Sequence, residues 1–182
     1  TDGINSSSQS ITVNVTDVNE VPTFSSSASF SADENQTSIG LVTAEDVDSS
    51  SLTFSISGTD LSITSDGTLS FVVAPDYEIK SSYSATVTVS DGELSAEQAI
   101  TVNVNNLNDN APVFTSPSSF SANENQTSID IVTASDADDS PLSFSVSGSE
   151  LLITDSGVLS FTSAPDYESK SSYTATIRVT DG

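Results

Sequence analysis

Carboxylates recur in a fixed order along this chain, and their spacing favours metal binding. Each of two copies has an early Glu, a D-x-D pair, an Asp-Tyr-Glu and an Asp that ends a Val-rich segment. The first copy contains Glu34, Asp46, Asp48, Asp76, Glu78 and Asp91, and the second contains Glu124, Asp136, Asp138, Asp166, Glu168 and Asp181. Their side-chain oxygens are the ligands that hard cations prefer. A spacing of two places both side chains on one side of an extended segment, where a cation can bridge them.

The composition agrees with cation binding and excludes several other functions. There are 26 acidic residues, 3 basic residues and no His, giving a formal net charge of −23. A chain with this charge repels nucleic acid and anionic membrane surfaces, so we expect neither as a partner and no insertion into a membrane. It also has no Cys, Met or Trp, which removes most catalytic and transition-metal options. We therefore do not expect an enzyme.

The sequence repeats itself with an offset of 90 residues. Glu34–Ile39 recurs as Glu124–Ile129, and Ala74–Glu78 recurs as Ala164–Glu168. A polar segment closed by Pro, at 106–112, separates the two copies. We therefore predict a first repeat over 21–110, a second repeat over 111–182, and a closing strand and linker of a preceding repeat over 1–20.

Short alternating runs predict strands within each repeat. Leu52–Ile56, Thr68–Phe71 and Ala85–Val89 alternate apolar and polar residues and are separated by turn residues such as Asp66-Gly67. Each Phe and Tyr of one repeat has a counterpart in the other, so we interpret all of them as core or corner residues rather than as a ligand platform. The predicted fold is all-β, with tandem antiparallel Greek-key β-sandwiches joined end to end.

The order of these motifs resembles that of cadherin repeats over essentially the whole chain. The similarity lies in Asn108-Asp109-Asn110-Ala111-Pro112, in Asp-Tyr-Glu and in D-x-D, which follow one another in the family's order. The period of about 90 residues and the richness in Ser and Thr are more similar to bacterial surface or secreted proteins than to animal ectodomains.

The resemblance implies up to three Ca²⁺ at the junction between the repeats. The implied ligands are Glu34, Asp76 and Glu78 of repeat 1, Asn108, Asp109 and the carbonyls of Leu107 and Asn110 in the linker, and Asp136, Asp138 and Asp181 of repeat 2. The family's first linker Asp is Asn106 here, which weakens the middle site and leaves either two or three ions. The seven carboxylates of this set would be nearly neutralised by three divalent ions. Without cations, each pair about 4 Å apart repels by roughly 1–4 kcal/mol.

A spare copy of the closing strand precedes repeat 1. Ile11–Val15 has the same sequence as Ile100–Val104, whereas repeat 2 extends only to the equivalent of Asp91-Gly92. We therefore expect head-to-tail self-association, in which the N-terminal strand of one molecule completes repeat 2 of another. The resemblance then implies a further calcium junction with Glu124, Asp166 and Glu168 from one molecule and Asp17, Asn19, Glu20, Asp46, Asp48 and Asp91 from the next. The alternative is that the strand stays unpaired and repeat 2 is frayed.

Two functions agree with these features. The first is a calcium-rigidified extracellular spacer or adhesion segment of a larger surface protein, whose partners are the adjacent repeats, other cell-surface proteins or polysaccharide. The second is a calcium-dependent carbohydrate-binding module of a secreted protein. An exposed aromatic residue in one repeat would favour the second function.

Overall fold

The computed structural model describes Gly3 and residues 5–182, and these residues form an all-β structure. The strands of the first repeat are β1 Thr23–Phe24, β2 Ser29–Asp33, β3 Ser38–Leu41, β4 Ala44–Glu45, β5 Thr53–Ile56, β6 Leu61–Ile63, β7 Thr68–Phe71, β8 Ser82–Ser90 and β9 Ser95–Asn105. Those of the second repeat are β10 Val113–Phe114, β11 Ser128–Ile131, β12 Ala134–Ser135, β13 Ser143–Val146, β14 Leu151–Ile153, β15 Val158–Phe161 and β16 Ile177–Thr180. The described residues include no helix with the length and hydropathy of a membrane span.

The first repeat is a sandwich of a four-stranded and a three-stranded sheet. The larger sheet has the order β2-β9-β8-β5, the smaller has the order β3-β7-β6, and β1 pairs with β4. Alternate residues of β5 and β9 face the core. The most deeply buried core side chains are Val42, Leu69, Val87, Val89, Ile100 and Val102. The three predicted strands of this repeat are confirmed by β5, β7 and β8.

The second repeat has an equivalent of the smaller sheet, but its larger sheet has fewer strands. Its strands pair as β11-β15-β14, β10-β12 and β13-β16. Strands equivalent to β2 and to the first half of β8 are missing, because residues 119–123 and 172–176 are not in a strand. In repeat 1 these two segments lie on either side of β9. Among the described residues, no strand equivalent to β9 lies between 119–123 and 172–176. The backbone N–H and C=O groups of these segments therefore have no partner strand to bond to.

The N-terminal segment is not a strand in this structure. Ile11–Val15 was predicted to be one, but it has no pairing among the described residues, and Ile11, Val13 and Val15 are 79–92% exposed. The assignment of this segment as the closing strand of a preceding repeat stays a prediction, because a strand is defined by its partner. The alternating sequence gives the segment one apolar face, and nothing in the described chain covers that face.

One glycine in each repeat fixes a tight hairpin. Gly67, between β6 and β7, has φ +92°, and a Cβ at this position would lie 2.2 Å from the Val42 carbonyl oxygen. Gly157 repeats the arrangement, at 2.1 Å from the Val132 carbonyl oxygen. Only glycine adopts this conformation without a clash. The same backbone approach in both repeats shows that they share one local fold.

The chain divides into two compact units whose boundary differs from that between the repeats. Ser31–Thr37 and Ala74–Ser82 belong to the same unit as Asn103–Gly182. The other unit contains the rest of repeat 1, including Ser38–Val73 and Tyr83–Val102. The segment with Glu34 and the Asp-Tyr-Glu loop of repeat 1 are therefore parts of one compact unit with the linker and repeat 2, whereas Asp46, Asp48 and Asp91 belong to the other unit.

Candidate metal centre

Glu34 is a buried carboxylate that joins three segments of the chain. It follows β2, and only 2% of it is exposed. Its Oε2 accepts the backbone N–H of Tyr77 at 2.7 Å, and its Oε1 accepts the backbone N–H of Leu107 at 2.7 Å. Burying a charge is unfavourable unless it is hydrogen-bonded or paired with a cation. Glu34 has the hydrogen bonds and lies beside further carboxylates.

The Asp-Tyr-Glu loop between β7 and β8 brings two more carboxylates to Glu34. Asp76 closes a turn by accepting the N–H of Ile79 at 3.1 Å through Oδ1. This turn directs Glu78 to the same side as Asp76. One oxygen from each of Glu34, Asp76 and Glu78 lies within 4.8 Å of the others. We name this group the loop cluster.

A second cluster connects the loop to the linker and to the D-x-D of repeat 2. It consists of Glu78, Asp109 and Asp138, whose oxygens also lie within 4.8 Å of one another. Asp138 is buried, and its Oδ2 accepts the N–H groups of Asp109 at 3.1 Å and Asn110 at 2.8 Å. We name this group the linker cluster. It shares Glu78 with the loop cluster.

The side chain of Asn110 marks the centre of the linker cluster. Its Nδ2 donates to Glu78 Oε2 at 3.3 Å, Asp109 Oδ1 at 2.9 Å and Asp138 Oδ1 at 2.9 Å. Three carboxylates surround the NH₂ group, and they favour a positive charge at this position. The NH₂ group supplies only a partial one. The amide thus lies where three carboxylate oxygens converge.

Asp136 provides an independent test of whether the residues fit a cation. Its Oδ1 accepts the N–H of Asp138 at 3.0 Å. Its Oδ2 is shielded from solvent and has no hydrogen-bond partner among the described residues. Asp46, at the same position in repeat 1, has an equally unpartnered Oδ2. A shielded anionic oxygen needs a positive partner, and an all-oxygen donor set fits Ca²⁺.

Two carboxyl groups of the linker cluster have pKa values shifted in opposite directions. The pKa of Glu78 is raised above its ordinary value, first by desolvation and then by the negative charges of Glu34 and Asp138. The pKa of Asp138 is lowered, mainly by the hydrogen bond from the Asn110 side chain. Glu78 is therefore the member whose charge is least compensated, and a cation there would relieve the repulsion.

The second repeat has an equivalent of the loop cluster. Oxygens of Glu124, Asp166 and Glu168 lie within 4.8 Å of one another. Glu124 accepts the N–H of Tyr167 at 3.0 Å, as Glu34 does from Tyr77. Unlike Glu34, Glu124 is exposed. The structure thus brings these three predicted residues together, in a more open setting.

The predicted residues near the N-terminus form pairs rather than a cluster. Asn19 Nδ2 donates to Asp91 Oδ2 at 2.8 Å, and the Glu20 N–H donates to Asp48 Oδ2 at 2.8 Å. The pKa of Glu20 is raised by its side-chain hydrogen bond to Asp48 and then by the charge of Asp48. Among the described residues, Asp17 joins no group of three carboxylates.

The remaining predicted ligands make other contacts. Asn108 Oδ1 accepts the Ser140 hydroxyl at 2.8 Å, and the Leu107 carbonyl accepts the Asp109 N–H at 3.1 Å. Asp181 directly follows β16 and, within the described part of the chain, belongs to no group of three. Asn106, which replaces the family's linker Asp, donates to the Asp138 carbonyl at 3.1 Å.

Sequence reasoning missed Asn35 as a part of this centre. Asn35 follows Glu34, has φ +63° and donates from Nδ2 to Asp109 Oδ2. The signal was present, because Asn is among the few residues that adopt this conformation readily. Asn125 repeats it with φ +62°.

The expectation that all aromatic residues are core or corner residues was wrong. Tyr167 is 65% exposed, whereas its counterpart Tyr77 is 36% exposed. Phe71 and Tyr83 do pack edge to face at 5.1 Å, and Phe161 and Tyr173 repeat that contact at 5.0 Å. Tyr167 is therefore not a core residue.

Solved cadherin structures share this fold. Protocadherin gammaB7 EC3-6 is 27% identical, with a TM-score of 0.76 over 97% of this chain and 52% of that chain. Mouse cadherin-23 EC22-24 is 25% identical, with a TM-score of 0.74 over 88% of this chain and 59% of that chain. Human protocadherin-24 EC1-2, at 24% identity, has a TM-score of 0.74 over 90% and 94% of the two chains and shows the fold alone. These likenesses confirm the cadherin resemblance and the β-sandwich fold.

The sequence comparisons match this chain to a bacterial protein and to a bacterial domain family. Chitinase A of Pseudoalteromonas piscicida is 33% identical over 142 residues, which is 76% of this chain but 17% of that protein. The family model for a bacterial Ig domain matches residues 19–105 and again residues 108–182. The chain therefore belongs to the bacterial Ig domain family.

Proposed function

We propose that this chain is a calcium-rigidified extracellular spacer or adhesion segment of a larger bacterial surface protein. The observation that carries the proposal is the convergence of Glu78, Asp109 and Asp138 on the Asn110 amide. These residues come from the Asp-Tyr-Glu loop, the linker and the D-x-D of repeat 2. A cation bound by them would link all three segments.

The residues have distinct roles in this proposal. Glu34 and Asp76 would complete the ligand set on the side of repeat 1, and Asp136 would complete it on the side of repeat 2. The cation supplies positive charge that cancels carboxylate repulsion, which is worth roughly 1–4 kcal/mol for each pair about 4 Å apart. Asp138 also holds the linker through the backbone N–H groups of Asp109 and Asn110. With its repulsion cancelled, the 106–112 linker becomes less mobile.

In this proposal the chain is extracellular and is not catalytic. The membership in the bacterial Ig domain family supports it, as does the likeness to cadherin repeats. We assign the repeats to 21–110 and 111–182, preceded by the tail of another repeat over 1–20. The partners in this proposal are adjacent repeats of the same protein, together with cell-surface proteins or polysaccharide.

Calorimetric titration with Ca²⁺ tests the proposal. Chelator-treated protein should bind calcium with a dissociation constant of about 10⁻⁴–10⁻³ M, as extracellular sites do. Thermal unfolding should shift upward in millimolar calcium, since a ligand that binds only the folded state stabilises it. X-ray scattering should report a narrower range of conformations. Unchanged heat, melting and scattering profiles would overturn the proposal.

A calcium-dependent carbohydrate-binding module is the second candidate. The similarity to a protein named chitinase A and the exposure of Tyr167 favour it. Exposed aromatic rings are suited to stack on sugar faces, which bind through an apolar surface and a few polar groups. Chitin beads should then retain the protein in calcium, and Tyr167→Ala should reduce retention more than Tyr77→Ala. Equal passage through chitin with and without calcium would remove this candidate.

A further inference from the structure

The side chain of Asn110 offsets part of the repulsion within the linker cluster. Asn110 is half-buried, and its NH₂ group donates to carboxylates of the Asp-Tyr-Glu loop, the linker and the D-x-D of repeat 2. An amide NH₂ group has two N–H bonds, so with three acceptors around it at least one hydrogen bond is shared. Because the acceptors outnumber the donors and carry full negative charges, the amide reduces the repulsion between the carboxylates without cancelling it.

The orientation of this amide is incompatible with a cation held by the same three carboxylates. Its N–H bonds point their positive ends at oxygens that a cation would need. The NH₂ group of an amide is a hydrogen-bond donor, whereas Ca²⁺ takes oxygen ligands. The three carboxylates therefore have to release the NH₂ group before they can surround a cation. The amide contacts and a bound cation are alternatives.

The upstream linker shows that the backbone at this position does not require an amide side chain. Glu20 and Asn110 each lie two residues before a linker Pro. The backbone N–H of Glu20 donates to Asp48 Oδ2 at 2.8 Å, and that of Asn110 donates to Asp138 Oδ2 at 2.8 Å. The same backbone bond thus forms with a carboxylate side chain, which in its ionised form has no hydrogen to donate. The contacts of the Asn110 amide are therefore additional to those that hold the linker backbone.

We propose that the Asn110 side chain is a latch, by which we mean a contact that holds the metal-free linker and competes with calcium. The latch joins Glu78, Asp109 and Asp138, and all four residues belong to one compact unit. Calcium binds the form in which the amide has left, so the apparent affinity is lower than the carboxylates alone would give. The competition with calcium rests on the proposed function, whereas the metal-free contact does not.

Asn110→Ala in chelator tests the metal-free contact. The variant loses the side-chain bonds and keeps the backbone bonds of Asp109 and Asn110 to Asp138. It should melt at a lower temperature than wild type, and the two linker amides should exchange about tenfold faster. Asn105→Ala is the matched control, because Asn105 Nδ2 donates at 2.9 Å to Asp33, which belongs to no carboxylate cluster among the described residues. Equal losses in the two variants would overturn the proposal.

Calorimetric titration with Ca²⁺ tests the competition. Asn110→Ala should bind calcium about tenfold more tightly than wild type, since a hydrogen bond to a charged group changes an equilibrium by this order. Its melting temperature should approach that of wild type in saturating calcium, where the amide no longer contributes. Asn105→Ala should bind calcium as wild type does. Equal or weaker binding by Asn110→Ala would overturn the proposal.

NMR spectra of the wild-type chain follow the amide without a substitution. The side-chain NH₂ resonances of Asn110 should exchange slowly with solvent in chelator, and they should shift and exchange faster when calcium is added. Rapid exchange in chelator would overturn the latch. A wild-type chain that binds no calcium would overturn the proposed function together with the competition. A chain that binds calcium with these resonances unchanged would overturn the competition alone.

Discussion

The Glu34 carboxylate accepts the backbone N–H of Leu107 at 2.7 Å, across 73 positions of sequence. Through its other oxygen it accepts the N–H of Tyr77 at 2.7 Å. One buried side chain thus fixes both the Asp-Tyr-Glu loop and the start of the linker. Glu124 makes only the bond to Tyr167 among the described contacts.

Glu34→Gln should therefore destabilise the protein more than Glu124→Gln. The amide NH₂ of Gln would face a backbone N–H and leave one buried donor without an acceptor, which costs about 1–3 kcal/mol. Glu124 is exposed, so water can replace its lost bond. Urea unfolding in chelator measures the two differences in unfolding free energy. Equal losses would contradict the role assigned to Glu34.

Asp138→Asn should weaken calcium binding by roughly 10- to 100-fold, in line with the loss of well-oriented site residues. Its carboxylate faces the Asn110 amide and holds the linker backbone. Asp60→Asn is the matched control, because Asp60 belongs to none of the carboxylate clusters. Calorimetric titration of both variants gives the comparison. Similar affinities for the two would contradict the ligand assignment.

Glu78→Gln should have opposite effects with and without calcium. The folded pKa of Glu78 is raised above 4.5, so its favourable contribution is present below pH 4.5 and is lost as the pH rises through the folded pKa. In chelator, the variant should therefore be more stable than wild type at pH 7 and no more stable at pH 4. In calcium at pH 7, it should be less stable, because a shared ligand is missing.

Melting curves in the four conditions decide this prediction. The sign of the difference at pH 7 is the critical observation. A variant that is less stable than wild type in chelator at pH 7 would contradict the uncompensated charge at this position.

Gly67→Ala should be more destabilising than Gly58→Ala. Both glycines have positive φ, which costs an L-residue about 1–2 kcal/mol. Only at Gly67 would the new Cβ meet a backbone oxygen, 2.2 Å away. Thermal unfolding should therefore show the larger loss for Gly67→Ala. An equal loss would mean that the hairpin shifts to accommodate the methyl group.

Local alternation was enough to predict three of the nine strands of repeat 1, β5, β7 and β8. Thr68–Phe71 coincides with β7, and Ala85–Val89 lies within β8. Ile11–Val15 is not in a strand among the described residues, although its sequence equals part of β9. Alternation records which face of a segment is apolar, but a strand also needs a neighbour for its N–H and C=O groups.

The candidate site was predictable as a set of residue types, but not as a geometry. Spacing and order identified Glu34, Asp76 and Glu78 as oxygen donors, and the structure brings them together. Nothing in the local sequence placed the Asn110 amide among three carboxylates or gave Asn35 its bond to Asp109. Apart from the bond between the neighbours Asn110 and Asp109, these contacts join residues more than 25 positions apart, so they depend on how the loops fold onto the linker.

The sequence by itself determined the repeat, its acidic ligand types and the apolar face of each strand, because these are properties of neighbouring residues. The tertiary structure decided which of two equivalent residues is buried. Glu34 and Glu124 follow the same local sequence except that Asp33 is replaced by Asn123, yet only Glu34 is enclosed. Burial depends on the chain that packs from elsewhere, and β9 with the linker provides it for Glu34 alone.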